Sequence, residues 1–314
     1  MTEIKKICPY CHTSYEKNDL AIPGVYWGCC YDASHEHIAE TPRAPQTIYH
    51  YTLLDSFRKI VESSSFRASH YSQMNDWKEI EIGIECLKEQ FNAFGEFENK
   101  AIILNQIENI YTQRQRCFLS SFSKNVDSLS QWRAYTNEDA GGVCIGFQAE
   151  KITNLEKFVL MPCSYTNEER KIDLKNICEM TKYQVSPEGK AAIKKQKEED
   201  DKMMSWFGGR LSVEYTLGDL VGAATTIKDY GFYEEQEWRL IALNPDGQKY
   251  PEKLSETNRR YIEFPFSPKD WISEIVISPH GNKNEIRNVI EHYKTIGILS
   301  DTCKIRDSKI PFRG

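Results

Sequence analysis

The chain has 314 residues, of which 40% are hydrophobic and 12% aromatic, a composition typical of a globular protein with a core and unlike that of a disordered chain. Its formal net charge of −6 disfavours a protein that coats nucleic acid through phosphate contacts, since such proteins are usually basic. The sequence has no signal-peptide pattern and no apolar run long enough for a membrane span, so we expect a cytoplasmic protein with no membrane partner and with reduced or metal-bound cysteines.

The first 45 residues contain a cluster of cysteine and histidine side chains. The candidate metal ligands are Cys8, Cys11, Cys29, Cys30, His35 and His37. Cys8 and Cys11 form a C-x-x-C pair, from which both thiolates can reach one tetrahedral zinc ion. For the second half of the site, the sequence does not decide between Cys29 and Cys30 or between His35 and His37. We therefore expect a zinc-ribbon-like module and linker over residues 1–45, in which zinc is structural and the module serves stability or docking.

From residue 46 to residue 314 the sequence predicts an α+β domain, in which short strands are interrupted by unequal helical blocks. The predicted strands cover residues 48–51, 66–69, 118–123, 142–147, 157–166, 235–243, 260–264, 273–278 and 302–306. Thr52, with Asp55 three residues later, predicts a capping box at the start of the first helix. The other predicted helical regions are 75–116, 126–135, 168–227 and 283–296, of which 168–227 is a highly charged insertion.

Charged residues alternate with others at the start of the predicted strand 235–243. Because strand side chains alternate between two faces, Glu235, Glu237 and Arg239 are expected on the same side. Two carboxylates and a guanidinium are costly to bury without partners. This row is therefore either a structural ion-pair ladder or one wall of a polar cleft.

A set of short motifs follows one another along the chain in a characteristic order. They are Tyr49-His50-Tyr51-Thr52, Met74-Asn75-Asp76, Phe118 to Ser123, Trp132-Arg133-Ala134-Tyr135 with Gly142 to Phe147, Glu235 to Arg239, and Ser308 to Arg313. Together they resemble the bacterial domain-of-unknown-function family numbered 2971, over about residues 47 to 314. The cysteine-rich front module is an addition to that pattern, and the family by itself implies no activity.

A more distant resemblance is to the ADP-ribosyltransferase superfamily. It rests on a strand bearing His50 followed by a helix and a small second strand, on the aromatic-and-serine strand 118–123, and on a final strand with the E-x-E pair of Glu235 and Glu237. This resemblance implies a split mixed β-sheet with a cleft that binds NAD. It also implies cleavage of the nicotinamide–ribose bond through an oxocarbenium-like state.

The resemblance assigns catalytic roles to three side chains. Glu237 would stabilise the positive charge that develops on the ribose, as a carboxylate does in glycoside cleavage, and Glu235 would assist it. His50 would position a ribose hydroxyl or the nicotinamide amide. Arg239 could hold one of the glutamates in place and leave the other to act.

Further residues are expected to bind NAD. They are Tyr51, Ser121, Ser123, Tyr135, Arg239, Asn75 and Asp76. The two serines would shape the cleft, and an aromatic side chain such as Tyr51, Tyr71 or Tyr135 could stack on the nicotinamide ring.

The resemblance implies transfer of ADP-ribose to a protein, to a nucleic acid or to water, activities that in bacteria commonly belong to toxins or anti-phage effectors. The residues leave two other functions open. One is a non-catalytic sensor that binds a nucleotide or a nucleic-acid end while the zinc module docks a partner. The other is a metal-dependent hydrolase or nuclease that uses Asp76 and the glutamates.

Overall fold

A computed structural model describes residues 4–7, 14–17, 45–73, 77–109, 117–136, 139–153, 155, 158–187, 220–243 and 247–311. The chain divides into two compact units, the first made of residues 1–43, 71–117 and 163–230, the second of residues 44–70, 118–162 and 231–314. Helices and strands are mixed along the described chain, which confirms the α+β class.

The described chain contains strands β1 to β12 and helices α1 to α8. The strands are β1 Ile4–Ile7, β2 Ser14–Lys17, β3 Thr47–Leu53, β4 Ser65–His70, β5 Cys117–Ser123, β6 Gly142–Gln148, β7 Phe158–Pro162, β8 Glu237–Leu243, β9 Lys253–Leu254, β10 Arg260–Pro265, β11 Ile272–Ile277 and β12 Lys304–Asp307. The helices are α1 Leu54–Ser63, α2 Trp77–Ala93, α3 Lys100–Glu108, α4 Leu129–Tyr135, α5 Ala149–Thr153, α6 Asn167–Val185, α7 Pro268–Trp271 and α8 Lys283–Thr295. Tyr71–Gln73 and Tyr230–Glu235 form 3₁₀ helices.

The first unit contains the antiparallel β1–β2 hairpin and helices α2, α3 and α6. The helical region predicted over 75–116 is interrupted between α2 and α3. Gly95 and Asn99 have φ values of 84° and 64° there, and a left-handed residue cannot continue a right-handed helix. Helix α6 covers the beginning of the predicted insertion, and residues 188–219 of that insertion lie outside the described residues.

The second unit is built on an open mixed sheet of ten strands in the described chain, β3 to β12. The order is β12-β11-β6-β3-β5-β4-β10-β9, and β8 pairs with both β5 and β7. Strands β11 and β12 are parallel, whereas β3–β6, β6–β11, β4–β10 and β7–β8 are antiparallel. The sheet divides at β5, which pairs with β3 through Ser123 and with β4 through Phe118 and Leu119. Strand β5 therefore pairs with both β3 and β8.

The capping box predicted at Thr52 is wrong. Thr52 pairs with Val143 and Leu53 pairs with Gly142, so β3 continues through both residues of the expected helix start. Helix α1 begins at Leu54, and no side chain caps its first turn. Long-range pairing with β6 therefore overrides the local signal, because Thr52 is buried in an extended conformation.

One carboxylate connects helix α4 to the C-terminal segment of the second unit. Asp127 accepts hydrogen bonds from Trp132 Nε1 at 2.8 Å, from Ser308 Oγ at 2.7 Å and from the Lys309 backbone nitrogen at 2.7 Å. Trp132 is fully buried in a cluster with Tyr51, Cys144 and Val276. The Asp127 carboxylate thus fixes both the orientation of the Trp132 indole and the path of the chain after β12.

Replacing Asp127 should destabilise the protein. Asp127→Ala leaves the buried indole nitrogen without its acceptor and releases the C-terminal segment, so the free energy of unfolding should fall by about 2–4 kcal/mol. Urea denaturation followed by tryptophan fluorescence measures the change. The control is Asp301→Ala, an exposed residue, which should shift the free energy of unfolding by less than about 0.5 kcal/mol. Equal unfolding curves for the two variants would contradict the role given to Asp127.

Candidate functional site

Side chains from β3, β5, α4 and the beginning of β8 line one cavity in the second unit. The lining residues are Tyr49, His50, Tyr51, Ser121, Phe122, Ser123, Gln131, Tyr135, Glu235 and Glu237. The cavity has a volume of about 50 Å³. At ~10–15 Å³ for each water molecule, that is room for about four. Tyr135 is 42% exposed, so the cavity reaches solvent on the side of this ring.

The cavity brings together most of the site residues expected from the sequence. These are His50, Tyr51, Ser121, Ser123, Tyr135, Glu235 and Glu237. Arg239 contacts Glu237 from two residues further along β8. Asn75 and Asp76 lie outside the described residues, and Tyr71 belongs to the first unit.

His50 is held in a single tautomer by the neighbouring strand. Its Nδ1 lies 3.0 Å from the carbonyl oxygen of Ser121, and a carbonyl can only accept a hydrogen bond, so Nδ1 carries the proton and donates. The other ring nitrogen, Nε2, therefore has a free lone pair. Within the described part of the chain Nε2 has no hydrogen-bond partner, and it is not sealed from the surface. His50 thus offers the cavity a hydrogen-bond acceptor.

Packing against aromatic rings favours the neutral form of this imidazole. The His50 ring lies edge-on to Phe66, with centroids 4.8 Å apart, and 5.9 Å from the ring of Phe122. Burial lowers the pKa of His50 below its ordinary value of 6.5, and the hydrogen bond to the Ser121 carbonyl only partly opposes this effect. At neutral pH the side chain is therefore an uncharged acceptor.

Glu237 and Arg239 form a buried ion pair on one face of β8. Arg239 Nε donates to Glu237 Oε1 at 2.8 Å and Nη2 donates to Oε2 at 3.0 Å, a two-pronged arrangement typical of strong arginine–carboxylate pairs. The two residues are only 6% and 1% exposed. Glu237 also lines the cavity, so the same carboxylate belongs to the ion pair with Arg239 and to the cavity wall.

The expected strand position of Glu235 is wrong. Glu235 ends the 3₁₀ helix Tyr230–Glu235, and Gln236 has a φ of 44°, so β8 begins only at Glu237. A left-handed residue breaks the alternation of strand side chains, and Glu235 reaches the cavity from a turn instead. The Ser123 hydroxyl fixes this turn, since it donates to the Glu235 carbonyl oxygen at 2.6 Å.

The two serines of β5 have different roles. The Ser123 hydroxyl is occupied, because it also accepts a hydrogen bond from the Asn125 backbone nitrogen at 2.9 Å. The Ser121 hydroxyl has no hydrogen-bond partner among the residues that the structure describes, although its backbone oxygen holds His50. Ser123 therefore shapes the cavity, whereas Ser121 presents a free hydroxyl to it.

The two tyrosines proposed to stack on a ligand also differ. The Tyr51 ring packs edge-on against Trp132 at 4.8 Å, and its hydroxyl donates to the Asn125 carbonyl and accepts from the Ser128 backbone nitrogen. Burial raises the pKa of Tyr51 far above its usual value. Tyr51 is thus fixed in the core beneath the cavity, and Tyr135 is the ring exposed enough to stack on a ligand.

Gln131 is a cavity residue that the sequence analysis missed. It is only 6% exposed, and its side-chain amide has no hydrogen-bond partner in the described ranges of the chain. The amide atoms are not sealed from the surface, so they can bond to water or to a ligand in the cavity. A signal was present in the sequence, because Gln131 precedes Tyr135 by four residues and shares its helix face.

The six candidate zinc ligands lie outside the described residues, and the zinc-ribbon-like module stays a prediction. Within the described ranges, His, Cys, Asp and Glu side chains form no group of three or more that could hold a metal ion. None of the helices in that part of the chain is both long and apolar enough to cross a membrane.

The lowered pKa of His50 should make stability depend on pH. The unfolded chain binds a proton at His50 more readily than the folded chain, so this contribution is complete above about pH 6.5 and is lost as the pH falls below it. Between about pH 7 and pH 5, wild-type protein should lose stability faster than His50→Gln in urea denaturation. The exposed His292→Gln should keep the wild-type slope. Parallel curves for wild type and His50→Gln would contradict the assigned environment.

Comparison with known proteins gives one match. No curated protein and no solved structure matches this chain. Residues 131–240 match the model of a family described as "Protein of unknown function (DUF2971)". The match begins at Gln131 on α4 and includes Glu235, Glu237 and Arg239, so over this part of the chain the sequence is similar to the family suggested by its motifs.

Proposed function

We propose that the second unit is an enzyme that cleaves the nicotinamide–ribose bond of NAD and passes ADP-ribose to a nucleophile, in the manner of ADP-ribosyltransferases. The observation that supports this proposal is the meeting of His50, Ser121 and Glu237 around one cavity on the neighbouring strands β3, β5 and β8. The resemblance to the superfamily requires this proximity, although the three residues are far apart in the sequence.

The ionised carboxylate of Glu237 is suited to the bond-breaking step. When the bond between ribose C1′ and the pyridinium nitrogen breaks, its electron pair goes to the nitrogen, which becomes neutral, and positive charge develops on the ribose. A carboxylate next to C1′ stabilises that charge, as in glycoside cleavage. Arg239 holds both oxygens of Glu237 in place, so the carboxylate needs little reorganisation as the charge develops.

The remaining polar groups divide the other tasks. The Nε2 lone pair of His50 accepts a hydrogen bond from the ligand, and the neutral imidazole adds no positive charge to a site where positive charge develops. Glu235, at the turn before β8, accepts the proton that the attacking hydroxyl of water or of a macromolecular acceptor loses as the new C1′–O bond forms. The Tyr135 ring stacks beside the ligand at the cavity mouth.

The catalytic carboxylate can be tested while the fold is kept. NAD labelled in its adenine and nicotinamide parts is incubated with the protein and with cell lysate, and free nicotinamide and labelled acceptor are measured. Glu237→Gln should lower the rate about 100-fold or more. Because it also leaves Arg239 buried without its partner, this variant should lose about 3–5 kcal/mol of stability.

The double variant Glu237→Gln/Arg239→Met separates catalysis from stability, since it removes both buried charges and should restore most of the lost stability without restoring activity. Glu263→Gln is the matched control, because Glu263 forms surface ion pairs with Arg67 and Lys253 away from the cavity. Full activity in a folded Glu237→Gln protein would contradict the proposal. NAD binding without any product, altered by the same substitution, would favour a non-catalytic nucleotide sensor instead.

We also propose that the N-terminal residues bind one structural zinc ion through Cys8 and Cys11 and two of the later ligands. The antiparallel pairing of β1 with β2 supports this proposal, because the C-x-x-C pair lies in the sequence between these two strands. A thiolate pair between two short strands is typical of zinc ribbons.

Measuring the zinc content of the purified protein tests this part of the proposal directly. Purified wild-type protein should contain about one zinc ion per chain by elemental mass spectrometry, and Cys8→Ser/Cys11→Ser should contain almost none. Cys86→Ser, a partly buried cysteine of α2, is the control and should keep its zinc. An unchanged metal content in the double variant would show that the C-x-x-C pair is not a ligand pair.

A further inference from the structure

We propose that Gln131 recognises the carboxamide of the nicotinamide ring and so selects NAD over dinucleotides with a different ring substituent. This inference rests on the proposed function, because it assigns a ligand group to the same cavity. It starts from a side chain that the proposed reaction does not use. Gln131 is largely buried and lines the cavity, and its amide has no hydrogen-bond partner in the described chain but is not sealed from the surface.

Helix α4 holds Gln131 in a defined position. The next residue, Trp132, is fully buried and its indole nitrogen bonds to Asp127. At the start of the helix, the backbone nitrogen of Ser128 donates to the Tyr51 hydroxyl at 3.0 Å, which ties α4 to β3. Because both contacts fix the helix beside the cavity, the Gln131 amide is presented to it from a defined backbone position.

The hydrogen-bonding groups around the cavity are complementary to a carboxamide. A glutamine side chain offers one acceptor and one donor group side by side, and it can form two paired hydrogen bonds with another amide. His50 Nε2 can only accept, and the Ser121 hydroxyl can both donate and accept. A ligand that fits all three groups must have an N–H or O–H donor close to a carbonyl acceptor, as a carboxamide has.

The position of Glu237 decides between the two rings of NAD. The amino edge of adenine also pairs with glutamine, so Gln131 alone does not distinguish adenine from nicotinamide. Glu237, which the proposed reaction places next to ribose C1′, lines the same cavity as Gln131. The ring bonded to that carbon is nicotinamide, and a cavity of about 50 Å³ is too small for a whole dinucleotide.

Dinucleotide analogues test this inference. Dissociation constants and turnover are measured for NAD and for its 3-acetylpyridine analogue, in which a methyl group replaces the amide nitrogen and its hydrogens. Wild-type protein should bind NAD at least about 10-fold more tightly than the analogue. This is the difference expected when the analogue loses one hydrogen bond and leaves the protein partner unpaired. In Gln131→Met, which has a side chain of similar size, affinity for NAD should fall about 10- to 100-fold and the preference should disappear. Gln148→Met, a glutamine outside the cavity, is the control and should behave as wild type.

The outcomes separate this inference from the proposed function. If wild-type protein cleaves NAD and Gln131→Met keeps the wild-type preference for NAD, the role of Gln131 is wrong and the proposed function stands. If wild-type protein neither binds nor cleaves NAD, both are wrong. Competition by adenosine monophosphate but not by free nicotinamide, lost in Gln131→Met, would assign adenine to the cavity and overturn the inference. Thermal unfolding verifies the fold of each variant. If Gln131→Met does not fold, Gln131→Glu, which replaces the amide donor by a charged acceptor oxygen, should also lower the affinity for NAD, and an unchanged affinity would contradict the inference.

Discussion

The buried ion pair between Glu237 and Arg239 determines what chemistry the second unit can host. Glu237 is only 6% exposed, and a carboxylate buried to this degree requires a compensating charge. Here the guanidinium comes from the same strand, two residues away. A partner on β8 itself therefore helps to orient the carboxylate, and β8 pairs with β5 and β7. Through β5 the carboxylate is brought to the side of the sheet where β3 presents His50. A negative charge, a neutral acceptor and a free hydroxyl consequently meet on adjacent strands.

The polar groups of this region fall into two classes. Those of Ser123, Tyr51 and Asp127 make hydrogen bonds within the protein, and these bonds fix the turn before β8, the start of α4 and the C-terminal segment. The second class consists of His50 Nε2 and the Gln131 amide, which line the cavity and have no hydrogen-bond partner in the described chain. Both groups reach the surface of the cavity, so they can bond to water or to a ligand there. Ligand recognition is the role that this arrangement of groups supports.

Local sequence patterns predicted the buried central strands of the second unit well and the polar contacts around the cavity poorly. Strands β5 and β6 lie within one residue of their expected bounds, because continuous apolar runs identify buried strands. The cap at Thr52 failed because pairing with β6, about 90 residues away, is not visible in a local window. Gln131 was missed because a polar residue on a helix is solvent-exposed by default. The Asp127 contact with Ser308 spans 181 positions, a separation that no spacing rule detects.

If the second unit binds a dinucleotide as proposed, the cavity holds only part of it and the reacting bond lies at the cavity mouth. Pockets that enclose drug-sized ligands measure about 300–1,000 Å³. The space beside Gln131 has about 50 Å³, so the ribose, the phosphates and the adenine of a bound dinucleotide must lie outside it. In the complex proposed above, the ring enters towards Gln131 and His50, and the ribose C1′ lies between the buried Glu237 and the more exposed Glu235. Bond cleavage at that position would occur next to a shielded charge, where electrostatic stabilisation is strong, and the acceptor would approach from outside the cavity. An acceptor as large as a protein or a nucleic acid can thus reach C1′ without entering the cavity.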